Sequence, residues 1–303
     1  MIKKTLCFSN NSYLSLKNGQ LVIDSKSNAV FLTRPIEDIG IIILESKMIT
    51  LTSALLNALL ENNVAVIVCD DRHMPSGIML PLIGNSLLTE YSRSQLTATL
   101  PLKKQLWQQT VVAKISNQAA LLKREQKETG CMEKWSSLVR SGDPDNLEAR
   151  AAIYYWKNFF SHNPLFKRGD DSFFENSLLN YGYAILRAVI ARSIVSAGLI
   201  PHLGLFHSNK YNPYCLADDL MEPYRPFVDD LVKNIIENHK ANTELTTEIN
   251  LSKEIKQQLL SIPVLDVHIG KTRRPLMIAA NQTATSLVDC FRGEKRKITY
   301  PVL

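Results

Sequence analysis

The feature that most limits the fold is a change of hydrophobic period near residue 80. Before it, apolar residues alternate or come in short runs, the signature of strands. The segments are KKTLCFS, YLSLKN, QLVID, AVFLTR, IGIIILES and VAVIVCD. Between the second and third, Asn18 and Gly19 supply a two-residue hairpin turn, because both tolerate positive φ. One helix interrupts the strands. Leu55, Leu56, Leu59 and Leu60 share its face, Thr52 or Ser53 can cap its start, and Asn62 or Asn63 can end it. After residue 80 the period becomes helical. LKKQLWQQTVVAKISNQAALLKREQ reads as one amphipathic helix and NSLLNYGYAILRAVIARSIVSAGL as a more buried one, closed by Gly198 and Pro201.

This pattern predicts an α+β chain. A small, mainly antiparallel β domain spans residues 1–85, and a larger all-helical domain spans 86–303. RHMPSGIMLPLIGNS, with two prolines and two glycines, reads as the linker at about 74–90. The 303 residues, 45% of them hydrophobic, suffice for sizeable cores. IGIIILES, ALLNALL and VAVIVC offer more apolar surface than the first domain can bury alone, which predicts a dimer contact there. Lys and Arg outnumber Asp and Glu by 35 to 29, a net +6 that admits a polyanionic partner without requiring one. The five cysteines are scattered with no Cys-x-x-Cys pair, which argues against a disulfide framework or a cysteine zinc site and fits a reducing compartment. CDDRH, from Cys69 to His73, lacks the second pair a zinc site needs and reads as a strand end. The start lacks the apolar stretch of a secretory signal, and no run of about 18 apolar residues occurs. No membrane partner is expected, and the cytoplasm is the default location. Walker-A, G-x-G-x-x-G and G-x-S-x-G motifs are missing, so those nucleotide-binding and hydrolase classes are not indicated.

The chemistry concentrates in GLFHSNKYNPYCLADDLMEPYRPFVDD, residues 204–230, where His207 precedes Asp218, Asp219 and Glu222. Crowded carboxylates repel and need a counter-charge, which a bound cation or a solvated helix end would supply. Asp219 and Glu222, three apart, share a helical face and suit a hard cation. Asp218 points about 100° away, toward capping or solvent. Pro223 disfavours a regular helix at Glu222. Upstream, in SGDPDNLEARAAIYYWKNFF, Asp143 and Pro144 read as N-cap and first helical position. Glu148 then falls in the second turn, at the edge of a stripe of Ala151, Ala152, Tyr155 and Phe159. A carboxylate there is costly unless paired or metal-bound; a helix-start glutamate favoured by the macrodipole is the plainer reading. His207 taken alone is equally a loop or core histidine. An imidazole with two carboxylates would suit Mg²⁺ or Mn²⁺ and phosphodiester chemistry. Lys167 and Arg168, then Lys271, Arg273 and Arg274, then Arg292, Lys295, Arg296 and Lys297 form basic clusters. Each is compatible with a solvated face, and together they fit phosphate contacts along a nucleic acid.

Four stretches carry a family resemblance: ITLTSALLNALLENNVAVIVCDDRHMPSG, SGDPDNLEARAAIYYW, NSLLNYGYAILRAVIARSIVSAGLIPHLGLFH and NPYCLADDLMEPYRPFVD. In this order, and over nearly the whole chain, they resemble the CRISPR-associated integrase of the spacer-acquisition complex, in its type II-like branch. The resemblance implies a homodimer, each chain with an N-terminal β domain and a C-terminal helical domain. It implies a metal-dependent DNA endonuclease and integrase that inserts short foreign fragments into a CRISPR array, their 3′-hydroxyls attacking phosphodiesters at the repeat ends. The family's metal-binding catalytic positions fall on Glu148, His207 and Glu222, with Mg²⁺ or Mn²⁺ as cofactor. Some branches carry aspartate where this chain has Glu222, which leaves open the role of Asp219, near enough to act beside the ion without touching it. Arg168, Arg225, Arg292, Lys295, Arg296 and Lys297 are the candidate phosphate contacts. The implied partners are the double-stranded fragment, CRISPR repeat DNA, a small ferredoxin-like adaptation protein whose dimer bridges two integrase dimers, and other type II adaptation proteins. Two other functions use the same residues or dispense with them: a stand-alone metal nuclease on branched or single-stranded DNA, and a non-catalytic DNA-binding scaffold.

Overall fold

The computed structural model describes residues 3–24, 31–160, 163–242 and 251–303. Among these, the N-terminal part contains strands β1 (Lys4–Phe8), β2 (Ser12–Lys17), β3 (Gln20–Asp24), β4 (Phe31–Pro35), β5 (Ile39–Leu44), β6 (Ile49–Leu51), β7 (Ala65–Cys69) and β8 (Pro75–Met79), with helix α1 (Ser53–Glu61) before β7. The first two residues of the strand expected at AVFLTR lie outside the described residues. Asn18 and Gly19 turn β2 into β3 at φ of 49° and 70°, the left-handed values such a turn demands. Thr52 caps α1, its hydroxyl accepting from the Leu55 N–H at 3.3 Å.

Two four-stranded sheets result, ordered β1-β5-β7-β8 and β4-β3-β2-β6. Pairing is mixed rather than mainly antiparallel: β1 with β5, β5 with β7 and β2 with β6 are parallel. The residues between β5 and β7, including α1, give the chain length enough to return and pair in parallel. β5 is buried on both faces, which explains its unbroken apolar run. Ile42 faces Leu14, Leu21, Leu55 and Leu59, whereas Ile41 and Ile43 face the helical core. The apolar surface assigned by sequence to a dimer contact is therefore largely covered within the chain. β8 lies inside the expected linker and completes the first sheet. The stretch after it packs closely as well: a Cβ on Gly84 would meet the Val195 carbonyl oxygen at 2.5 Å, so only glycine fits.

The helices that follow are α2 (Leu88–Thr97), α3 (Leu100–Arg124), α4 (Gly130–Leu138), α5 (Leu147–Phe159), α6 (Phe174–Ser196), α7 (Cys215–Met221), α8 (Arg225–Asn242), α9 (Lys253–Leu259) and α10 (Leu276–Phe291). The order of a strand-rich part and then a helical part holds. The second part is not all helical, however. β9 (Asp266–Ile269), β10 (Thr272–Pro275) and β11 (Pro301–Val302) make a small antiparallel sheet. Val267 and Ile269 are buried between exposed Asp266 and His268, a period of two too short to stand out in the sequence. α6 runs through the centre. Among the described residues it is the one helix long and apolar enough to cross a membrane, and 83% of its most apolar stretch is buried in the fold. Its apolarity serves the core.

Candidate active site

α3 brings the first charge to the site. Val111, Ile115, Leu121 and Leu122 bury one side of this helix, and Lys114 emerges from the same buried side. The Lys114 side chain is only 10% exposed, and its ammonium reaches two carboxylates. Nζ lies 2.5 Å from Glu148 Oε1 and 2.5 Å from Glu222 Oε2. Burial alone would lower its pKa, but the charges of Glu222 and Glu148 outweigh that and raise it.

Glu148 is placed by the start of α5, which differs from the sequence reading. The helix begins at Leu147, after Asn146 at φ 51°, so Glu148 falls in the first turn. Asp143 still caps it from three residues further out. Its carboxylate accepts from the Leu147 and Glu148 N–H groups, both at 2.9 Å. Glu222 opens a 3₁₀ turn, Glu222–Tyr224, between α7 and α8, and its backbone stays right-handed helical at φ −53°. Pro223 therefore tightens the helix without breaking it, since proline is tolerated in a first turn. Asn117 of α3 holds that turn, donating to the Pro223 carbonyl oxygen at 2.8 Å. Arg225 donates from Nε to Glu222 Oε1 at 2.8 Å, and its guanidinium covers the Tyr183 ring at 4.4 Å. Burial would raise the Glu222 pKa, but Arg225 and then Lys114 hold it down to about 2.

His207 is positioned separately, by Asp219. This carboxylate is fully buried, and all its acceptor capacity goes to one loop. Oδ2 accepts from the Leu205 N–H at 2.6 Å and the Phe206 N–H at 3.1 Å. Oδ1 takes the His207 N–H at 3.2 Å and pairs with His207 Nδ1 at 2.6 Å. The ring stands edge-on to Trp107 and Phe206, each 5.7 Å away, and these two stack on one another at 4.5 Å. The Asp219 bond raises the His207 pKa against the opposing effect of burial, and Glu222 adds to the rise. Gly204 makes the loop possible, because a Cβ there would meet the His207 carbonyl oxygen at 2.3 Å and Asp219 Oδ2 at 2.8 Å.

Asp218 departs from expectation. It is buried rather than solvated, with Oδ1 accepting from Arg187 Nε and Oδ2 from Asn212 Nδ2, both at 2.7 Å. The candidate phosphate contacts are also more engaged than their sequence suggested. Arg168 donates to Asn176 and Asn180, and Arg225 is committed to Glu222. Arg292 pairs with Glu90 and Glu294, and Lys295 with Asp289. Arg296 and Lys297 are exposed.

A family model described as CRISPR associated protein Cas1 matches residues 6–262. The chain belongs to this family. A CRISPR-associated endonuclease Cas1 from Neisseria meningitidis is 38% identical over 288 residues, covering 94% of this chain and 91% of that protein. A second Cas1 endonuclease, from Saccharolobus solfataricus, is 31% identical over 73% of this chain and 71% of its own length. Two solved structures share the fold. A Cas1 protein from Thermotoga maritima superposes with a TM-score of 0.78 at 15% identity, covering 97% of this chain and 99% of that one. A casposase bound to integration product gives 0.77 at 20% identity, covering 97% and 92%.

The residues of this Cas1 family member fit a hard divalent cation in their chemistry. Glu148, Glu222 and His207 offer two carboxylates and an imidazole, and Glu222 Oε2 is a buried oxygen that no hydrogen bond of good geometry reaches, despite its ion contact with Lys114. They are not gathered as a finished cage. Among the described residues no three such side chains stand at metal-holding distance. Lys114 stands at the point where Glu148 and Glu222 converge, and sequence reading passed over it. The available signal was a lysine on the buried side of α3, where a solvated charge has no place. Trp107 and Asn117 were missed for the opposite reason. Their partners, Phe206 and Pro223, are distant in sequence.

Proposed function

We propose that this chain is a metal-dependent DNA integrase and endonuclease that joins the 3′-hydroxyl of a short fragment to a phosphodiester of a CRISPR repeat. The observation that carries the reading is the convergence of Glu148 and Glu222, ends of two distant helical segments, on one point, with His207, fixed by Asp219, near enough for the Glu222 charge to raise its pKa. Glu148, His207 and Glu222 would hold Mg²⁺ or Mn²⁺. The ion would offset negative charge at the attacked phosphodiester and favour attack by a hydroxyl.

The protein's own part is positional. Asp219 engages Nδ1 of His207 and leaves Nε2 to serve as the ligand atom. Arg225 keeps Glu222 ionised and fixes its rotation. Asp143 orders the turn that carries Glu148. In the transfer the 3′-oxygen forms a bond to phosphorus as the bond from phosphorus to the repeat's own 3′-oxygen breaks, so no external energy source is needed.

The solved casposase is described as bound to integration product, and another structure of the same fold is a Cas6-RT-Cas1–Cas2 complex, with a TM-score of 0.73. These descriptions support DNA as the substrate and a second adaptation protein as partner. Homodimerisation, with a small ferredoxin-like partner bridging two dimers, completes the proposal, since inserting a fragment takes two attacks a fixed distance apart. The fragment would be gripped mainly through its phosphates by Arg296, Lys297 and neighbouring cations. A strand-transfer assay with Mn²⁺ tests this. The 3′-hydroxyl fragment should be joined to repeat DNA and a 3′-blocked one should not. Equal cutting of the repeat with either fragment, and no joined product, would identify a hydrolytic nuclease instead.

A further inference from the structure

Among the described residues, Lys114 is the one cation in contact with both carboxylates proposed as metal ligands. Glu148 and Glu222 bring two negative charges, and Lys114 and Arg225 bring two positive ones. The four balance. A divalent ion added to this set would leave two positive charges uncompensated in a largely buried place, with the Lys114 ammonium already seated against both of the carboxylates it would need. A DNA phosphate brings the missing negative charge. Lys114 also lines a cavity of about 180 Å³ with Glu222, Gln118, Trp156, Arg168, Arg225 and Asp229, which gives the ammonium space to turn away from Glu148 and off the Glu222 oxygen it now contacts. The stem, rooted in the packed side of α3, keeps it within reach of that cavity.

We propose that Lys114 couples cation binding to DNA binding: its ammonium competes with the divalent ion for Glu148 and Glu222, and an arriving phosphate takes the ammonium over. Without DNA the lysine opposes the ion. With DNA the opposition is relieved, and by linkage the ion strengthens DNA binding by the same factor. Lys114 is thus a positioning residue whose removal tightens cation binding in the absence of DNA, the reverse of what losing a ligand or a purely structural residue would do.

The proposal rests on the metal reading of the site, and calorimetric titration of the full chain with Mn²⁺ separates the two. Wild type, Lys114→Met and Glu222→Gln are compared with and without a 3′-blocked duplex, so that no turnover intervenes. Wild type should bind Mn²⁺ roughly 5–150-fold more tightly with the duplex, the usual range of a coupling. Lys114→Met should bind Mn²⁺ more tightly than wild type without DNA and lose most of the duplex effect. Should that variant be poorly folded at room temperature, its unfolding midpoint supplies the second readout, and Mn²⁺ alone should raise it further than it raises wild type. Wild-type binding that depends on Glu222 but is unchanged or weakened in Lys114→Met overturns the coupling alone. Absence of any Mn²⁺ binding that depends on Glu222, with or without DNA, overturns the metal reading and the coupling with it.

Discussion

Replacing Asp219 by asparagine should cost both stability and cation affinity, by amounts the geometry allows to be worked out. The carboxylate is fully buried and accepts from three backbone N–H groups and pairs with the His207 ring. An amide keeps one acceptor oxygen and turns the other end into a donor. If the NH₂ replaces Oδ2, it faces the N–H groups of Leu205 and Phe206. If it replaces Oδ1, it faces the N–H of His207 and forces Nδ1 to accept, which moves the ring proton to Nε2 and removes the free lone pair. The first arrangement loses two bonds to a charged acceptor, and the second loses one and reverses another, at about 1.5–3 kcal/mol each, or about 1.5–6 kcal/mol before the loop relaxes. For a chain of this size that lowers the unfolding midpoint by roughly 3–15 °C. Cation affinity should fall by about 10–100-fold, the usual loss when a residue supporting a ligand is changed. Thermal unfolding and Mn²⁺ calorimetry on the same sample measure both. An Asp219→Asn variant with wild-type midpoint and wild-type affinity would refute the claim that this carboxylate holds the His207 loop.

Gly204→Ala should act on the same loop without touching a charge. Its Cβ would meet the His207 backbone at 2.3 Å, so the histidine must move, and strand transfer should drop by roughly 100-fold while the chain stays folded. Unchanged transfer would show that the loop tolerates displacement. Asp229 predicts a pH effect on stability. Burial raises its pKa to about 7 despite hydroxyl donors from Tyr155 and Tyr183. A carboxyl raised in the folded state binds its proton more tightly there than when unfolded. Its stabilising contribution is therefore present below about pH 4 and lost as pH rises through about 7, amounting at most to about 4 kcal/mol. Denaturant titrations at pH 5 and pH 8 should show the fall in wild type and a smaller one in Asp229→Asn. An equally steep fall in the variant would assign the effect elsewhere.

Local patterning made most of the fold legible. The turn at Asn18 and Gly19, the cap at Thr52 and the long helices α3 and α6 are each written within a few residues, and each formed as read. Features set by distant partners were not legible. The parallel pairing of β5 with β7 depends on what covers its two faces, and β9 to β11 are too short for a period to register. At the site, motif resemblance marked Glu148, His207 and Glu222, yet it could not reveal their counter-charges. Asp218 looked like a solvated neighbour of Asp219 because its partner Arg187 comes from α6, some thirty residues earlier. Lys114 looked like part of an amphipathic face. Only the fold reveals that this face turns inward, onto two carboxylates.

The central claim is that Glu148, His207 and Glu222 hold one divalent ion. Locating Mn²⁺ by anomalous diffraction, in crystals of the full chain with a 3′-blocked fragment, tests it most directly. The account predicts a single strong peak in contact with all three side chains, with Lys114 turned away from Glu148 and Glu222. A peak seated instead at Asp218 or Asp229, or no peak at a Mn²⁺ concentration that saturates strand transfer, would contradict it.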